Sequence, residues 1–142
     1  MGKKGRMDPL KLQKLAYYSE AFHLAYFGES LIDDDFQAWI HGPVNREIYD
    51  AYNQYGMFDL IRVNDISEEN VKEVSKLLIG SQLDLITDVL NAFGSESSYA
   101  LECRTHRELP WIEARGNTPS SERCETPIKR DTMASYYKKF FR

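Results

Sequence analysis

The stretch DPLKLQKLAYYSEAFHLAYFG, residues 8–28, decides the fold. Asp8 is a good N-cap. Pro9 at the first helical position loses nothing, because its missing N–H would be unpaired there anyway. Leu12, Leu15, Ala16, Phe22 and Tyr26 follow at helical spacing, and Leu10, Tyr17, Tyr18, Ala21, Leu24 and Ala25 cover much of the opposite side. A helix that is apolar nearly all round is covered by its neighbours. The spacing therefore predicts a central helix over 9–27, ended by Gly28 as its C-cap. His23 lies inside the apolar run and reads as a satisfied core or groove histidine, not a ligand.

Downstream, Asp33-Asp34-Asp35 reads as a turn. Phe36, Ala38 and Ile40 then alternate with Gln37, Trp39 and His41, the pattern of a short strand. Gly42-Pro43 stops it, and Pro43 suits N1 of a second helix running to about Tyr55, with Gly56 as its cap. Phe58–Val63 is expected to form a second short strand pairing with the first. Ser67 caps a third helix through Val71, Val74, Leu77 and Leu78, and Gly80-Ser81 breaks or kinks it. Leu83 to Phe93 give a fourth helix, ended by Gly94. Ser97 or Ser98 caps a fifth, and Pro110 restarts a short helix through Trp111 and Ile112. Residues 116–126 read as a polar loop. Thr126-Pro127 repeats the cap-plus-proline device, and the last helix is expected to run to about Phe140. The resulting fold class is mainly α: a compact helical domain of about six helices with a small β-hairpin-like element. Residues 1–7 are expected to be a flexible tail, and 8–142 a single domain.

The 142 residues are 42% hydrophobic and 28% charged, which supplies one real core and excludes a disordered acidic tail. No apolar run approaches the roughly 20 residues that span a bilayer, so no membrane partner is expected. The net charge of -4 is unevenly placed. Residues 1–28 carry five bases against two acids, 29–101 four against fourteen, and 102–142 nine against six. An acidic middle repels nucleic acid and suits a basic partner; its plainer reading is a solvated surface.

Motifs of common chemistry are missing: no GxGxxG, no Walker lysine loop, no GxSxG and no HExxH. Cys103 and Cys124 form no CxxC, and with His23, His41 and His106 they match no zinc-ligand spacing, so neither metal nor cofactor is expected. No secretory apolar segment follows Met1, which implies a cytoplasmic protein with free thiols. Cys103 and His106 are three apart on the expected fifth helix and so are a candidate nucleophile and base; the plainer reading is a structural thiol near a capping or core histidine.

Residues Lys11-Leu-Gln-Lys-Leu-Ala-Tyr-Tyr18, His23-Leu-Ala25, and above all Ala38-Trp-Ile-His-Gly-Pro-Val44 with Glu47, Tyr49 and Tyr55-Gly56, resemble the Panacea or SocA-like antitoxin family. The likeness continues through Val89-Leu-Asn-Ala-Phe-Gly94, Thr105-His106, Pro110-Trp-Ile-Glu-Ala-Arg115, and Ile128 through Met133 to Tyr136-Tyr137. Trp-x-x-Gly-Pro-Val and Thr-His…Pro-Trp, in that order, are its most specific parts. Glu20-Ala-Phe22 departs from the small or Gly-Trp pairing usual in the family, a change expected to alter packing rather than class. The resemblance implies a mainly helical fold with a minor β element and no catalytic activity. It implies a protein encoded beside a toxin, common in prophages and mobile elements, which neutralises that cognate toxin. Some family members act as adaptors that hand the toxin to the ClpXP protease.

An antitoxin works through its surface, and aromatics and arginine dominate binding hot spots. Nine Tyr, seven Phe and two Trp are more than a core of this size needs, so some are expected to be exposed. Tyr49, Tyr52, Tyr55 and Phe58 around the second helix are the candidates. Gly42 and Pro43 are expected to set a strand-to-helix turn, and Trp39 and Trp111 to anchor the core. His41, Arg46, Glu47 and His106 suit either a partner site or a hydrogen-bond network tying the hairpin to the later helices. Two other functions stay open at this point: a prophage-encoded nucleic-acid-binding regulator, against which the acidic middle argues, and a small Cys/His enzyme.

Overall fold

The computed structural model describes residues 8–52 and 80–140. Helix α1 spans Pro9–Phe27. Asp8 caps it, its Oδ1 accepting from the Lys11 N–H at 2.8 Å. Gly28 ends it at φ 76°, a left-handed conformation that glycine adopts without strain, and donates its N–H to the Leu24 carbonyl. Nearly every face of α1 is buried, polar positions included. Among these is His23, whose Nδ1 lies 2.7 Å from the Glu29 carbonyl and whose Nε2 lies 3.0 Å from Gln82.

Strand β1, Phe36–Trp39, pairs antiparallel with β2, Gly42–Asn45, in the register Phe36 to Asn45 and Trp39 to Gly42. Pro43 therefore lies in a strand, not at the start of a helix. Its place is the edge facing α1, where its missing N–H breaks no rung of the ladder. Helix α2, Arg46–Tyr52, starts three residues later. Its cap is Asn45, whose Oδ1 accepts from the Ile48 N–H at 3.0 Å. The other edge of β1 is also occupied. Ala38 N–H donates to the Thr126 carbonyl, and Ile128 N–H to the Phe36 carbonyl. Thr126-Pro127 thus adds an extended segment to the hairpin instead of capping a helix. Tyr55, Gly56, the expected strand Phe58–Val63, the helix after Ser67 and the tail 1–7 lie outside the described residues.

Helices α3 (Gly80–Phe93), α4 (Ser98–His106), α5 (Leu109–Arg115) and α6 (Arg130–Tyr137) follow, with a 3-10 turn at Lys138–Phe140. Gly80-Ser81 are the first two residues of α3. Ser97 caps α4 through its hydroxyl, and Pro110 sits in the first turn of α5, both as the sequence predicts. With α1 and α2, these make six α-helices and one hairpin among the described residues, a mainly α fold.

Helices α3, α4 and α6 all pack on α1. Between them lies an aromatic core. Tyr17 meets Phe36 edge-on with ring centroids 5.5 Å apart, and Tyr18 stacks on Phe93 at 4.6 Å. Buried hydroxyls need partners. Tyr18 and Tyr137 both donate to Oε1 of buried Glu108, at 2.8 and 2.6 Å, and the Tyr17 and Tyr137 hydroxyls are 3.1 Å apart. Glu108 precedes α5 but leaves that helix without a side-chain cap, because its carboxyl is turned inward to the tyrosines. Part of the aromatic surplus is thus absorbed by the core.

The hairpin joins α1 through side-chain amide chemistry. Gln13 Oε1 accepts from the Asn45 N–H at 2.8 Å, and Gln13 Nε2 donates to the Asn45 carbonyl at 3.1 Å. The primary amide thereby copies a strand–strand rung. Removing it leaves two buried backbone groups unpaired, at about 1–3 kcal/mol each. Gln13→Leu should lower unfolding free energy in chemical denaturation by about 2–4 kcal/mol, and a loss below about 1 kcal/mol would mean that the rung contributes little.

Candidate functional site

The candidate residues divide into an inner lock and an outer cleft. The lock forms where β2 meets α1 and α4. Lys14 is fully buried and its Nζ donates to the Pro43 carbonyl at 3.3 Å. Gly42, at φ 109°, lies directly on it: a Cβ there would come within 2.6 Å of Lys14 Cε and 2.9 Å of Thr105 Oγ1. Glycine is therefore required twice, by conformation and by close approach. The motif segments around Lys14, Gly42-Pro43 and Thr105 meet at this one point.

His106 belongs to the same inner group. Its ring stacks on Trp111 with centroids 4.0 Å apart and hydrogen-bonds to the Ile40 backbone. Burial lowers its pKa, against the pull of Glu102. Trp111 Nε1 donates to the Trp39 carbonyl at 2.9 Å. Both side chains thus fasten α4 and α5 to the hairpin. Cys103 neighbours Tyr99, whose pKa it raises, and among the described residues no hydrogen bond joins Cys103 to His106.

The outer group surrounds an open cleft of about 320 Å³. One wall comprises Trp39, Ile40, His41, Val44 and Tyr49; the other comprises Arg123, Cys124 and Glu125. Trp39 and Tyr49 stand side by side on this wall, ring centroids 5.2 Å apart and planes tilted by 57°, and the Arg46 guanidinium lies over Trp39 at 4.8 Å. Trp39 Nε1 donates to Gln37 Oε1, so the indole donor is already engaged. Trp39 is thus a half-buried cleft wall, not the core anchor the sequence suggested. His41 Nδ1 pairs with Glu102 Oε2 at 3.1 Å across the hairpin turn. Glu47 is exposed and does not line the cleft; the neighbouring Asp34 carboxylate raises its pKa. The side chain of Tyr52, like Tyr55 and Phe58, lies outside the described residues.

The second wall is fixed by Arg115, which is almost wholly buried. Its guanidinium donates to three carbonyls: Ala38 at 2.9 Å, and Pro119 and Glu122 at 2.6 Å each. It also lies over Trp111 at 5.0 Å. These bonds fold the loop after α5 back against β1 and bring Cys124 to the cleft. Burial pushes the Cys124 thiol up, but hydrogen bonds with Thr126 and Thr118 and the Arg115 charge outweigh it, so the pKa falls below its ordinary value. Both cysteines are free.

Sequence reading missed Gln13, Lys14, Asn45, Arg115, Arg123 and Glu125 as site builders. Asn45 was findable, since Asn before Arg-Glu-Ile is a good N-cap. The loop residues carry no local signal, because they reach the hairpin only through tertiary contacts.

A mainly helical domain with a locked hairpin and an aromatic, arginine-bearing cleft is suited to contact with another macromolecule. The chain belongs to the antitoxin SocA-like, Panacea domain family, whose pattern matches residues 12–112. No curated protein and no solved structure matches it. The first cleft wall lies within the matched residues, and the second lies beyond them. Among the described residues, no helix is long and apolar enough to cross a membrane.

Burial lowers the Lys14 pKa from its ordinary 10.5 to about 7, although Glu102 and Asp8 pull it upward. Between those values the unfolded chain holds a proton that the folded chain lacks, so stability rises with pH. Above about pH 10 the buried Tyr17, Tyr18 and Tyr137, whose pKa values are raised by burial, reverse the trend. Unfolding free energy should therefore climb from about pH 7 to about pH 9 in the wild type and stay flatter in Lys14→Met. Parallel profiles would show that Lys14 keeps its charge in the fold. His106→Ala should lower stability by about 1–2 kcal/mol through lost stacking and hydrogen bonding, read as a lower Tm.

Proposed function

We propose that this chain is an antitoxin that neutralises a cognate protein toxin in the cytoplasm by direct contact, with the Trp39–Tyr49 cleft as its docking face. Family membership supports the antitoxin role. The observation that carries the docking face is the cleft itself: two adjacent, tilted aromatic rings, one under a guanidinium, at an open surface. Rigid aromatics and arginine are the side chains that contribute most to protein interfaces. The polar motif residues around it are engaged in bonds within the chain, which favours binding over turnover.

The test is expression of the neighbouring reading frame alone and together with this chain. Toxicity alone and growth with the antitoxin are expected. A Trp39→Ala/Tyr49→Ala double variant should fold, by circular dichroism, yet protect poorly, with toxin affinity down about 100-fold. Full protection by that variant would remove the cleft from the interface. The adaptor route is separated by repeating the rescue in cells lacking ClpXP. Direct masking predicts that rescue persists with toxin levels unchanged, whereas loss of rescue assigns the adaptor role.

A further inference from the structure

The charge of the cleft differs in sign from that of the chain. Arg46 Nη2 and Arg123 Nη2 converge on one oxygen, Oε2 of Glu125, at 3.2 and 3.0 Å. Two guanidiniums against one carboxylate leave a positive charge at the rim. Behind the cleft floor, Arg115 is held by the carbonyls of Ala38, Pro119 and Glu122, which orient its charge without cancelling it. His41, which also lines the cleft, bonds to Glu102 of α4, and Glu102 is not among the lining residues. The whole chain, by contrast, carries a net charge of -4.

We propose that the cleft receives an acidic side chain of the toxin, seated beside the Trp39 and Tyr49 rings and held by the Arg46 and Arg123 guanidiniums in exchange for Glu125. This rests on the antitoxin reading and specifies its partner. A guanidinium matches a carboxylate with two parallel N–H bonds. Arg46 is held against the Trp39 ring, so less side-chain freedom is lost when its edge takes up a new carboxylate. Glu125 is half exposed, and it occupies the position of the incoming acid without being buried there. The toxin segment that fits therefore pairs an Asp or Glu with a neighbouring apolar or aromatic residue.

The sign of each charge change follows. The probe is the toxin identified by rescue, with its affinity for the full chain measured by calorimetry. Arg46→Glu/Arg123→Glu should weaken binding at least about tenfold, while Glu125→Gln, which frees both guanidiniums, should strengthen it several-fold. Raising salt should weaken the wild-type complex. All three positions are exposed enough for the variants to fold. The reverse pattern, with tighter binding by the Glu variant and weaker binding by the Gln variant, would mean that the cleft takes a basic group and would overturn the inference. Unchanged affinity in both would overturn it too, while leaving the antitoxin reading intact. A wild-type chain that neither binds nor rescues would end the antitoxin reading and this inference together.

Discussion

The Gln13 side chain behaves as a strand, and the rest of the architecture depends on it. A two-stranded hairpin is marginal in water by itself. Here β1 gains the Thr126–Ile128 segment on one edge, and β2 gains a helix on the other. A helix backbone has no free rung to offer. The primary amide of Gln13, one turn into α1, supplies a donor and an acceptor at the spacing of a peptide group. Lys14, the next residue, supplies the donor for the Pro43 carbonyl. Two consecutive helical side chains thus satisfy the outward edge of β2, and the buried lysine accepts a lowered pKa as the consequence of its position.

That attachment explains several other sequence choices. Because Lys14 runs beneath the hairpin, only glycine fits at 42. Because Asn45 gives its backbone to Gln13, its side chain is free to cap α2 through Oδ1 and to reach the Asp34 carbonyl through Nδ2. Asn45 is fully buried with its polar groups engaged, a local network of the kind that fixes one conformation. Glu20 acts similarly one turn on from the tyrosines: Oε1 accepts from the N–H groups of Leu31 and Ile32, and Arg130 stands 3.7 Å from Oε2. An acidic residue inside an apolar helix is accounted for by the loop it orders.

The helices were legible because their ends carry local chemistry. Asp8-Pro9, Gly28, Ser97 and Pro110 act at the positions where their cap and proline preferences place them. Pro43 and Pro127 misled for the same reason. The fixed φ of proline suits both a helix start and an extended edge, and only the tertiary partner decides between them. For Pro43 that partner is Ala38 of the adjacent strand, and for Pro127 it is Gln37 of β1, far away in sequence. The cleft was half legible. Trp39, His41 and Tyr49 stand out as aromatic and polar residues at a turn, but Arg123, Cys124 and Glu125 reach them only because Arg115 folds the loop back. Summing charge by segment failed to describe the cleft, since Arg46 comes from the acidic middle and Arg123 from the basic end.

A cleft built in this way is preorganised. Its first wall is a hairpin clamped to the central helix, and its second is a loop anchored by a buried guanidinium. Association loses free energy when side chains and loops must be ordered on contact, so a surface ordered beforehand retains more of its contact energy as affinity. If the cleft is the docking face, the inner residues, Lys14, Gly42, Thr105, His106 and Trp111, bear on binding without touching the partner: they fix the hairpin that carries Trp39. A change at the lock should show first as a loss of stability and only then as a loss of affinity, whereas a change at the rim should alter affinity alone. That difference separates the residues that make the fold from those proposed to meet the partner.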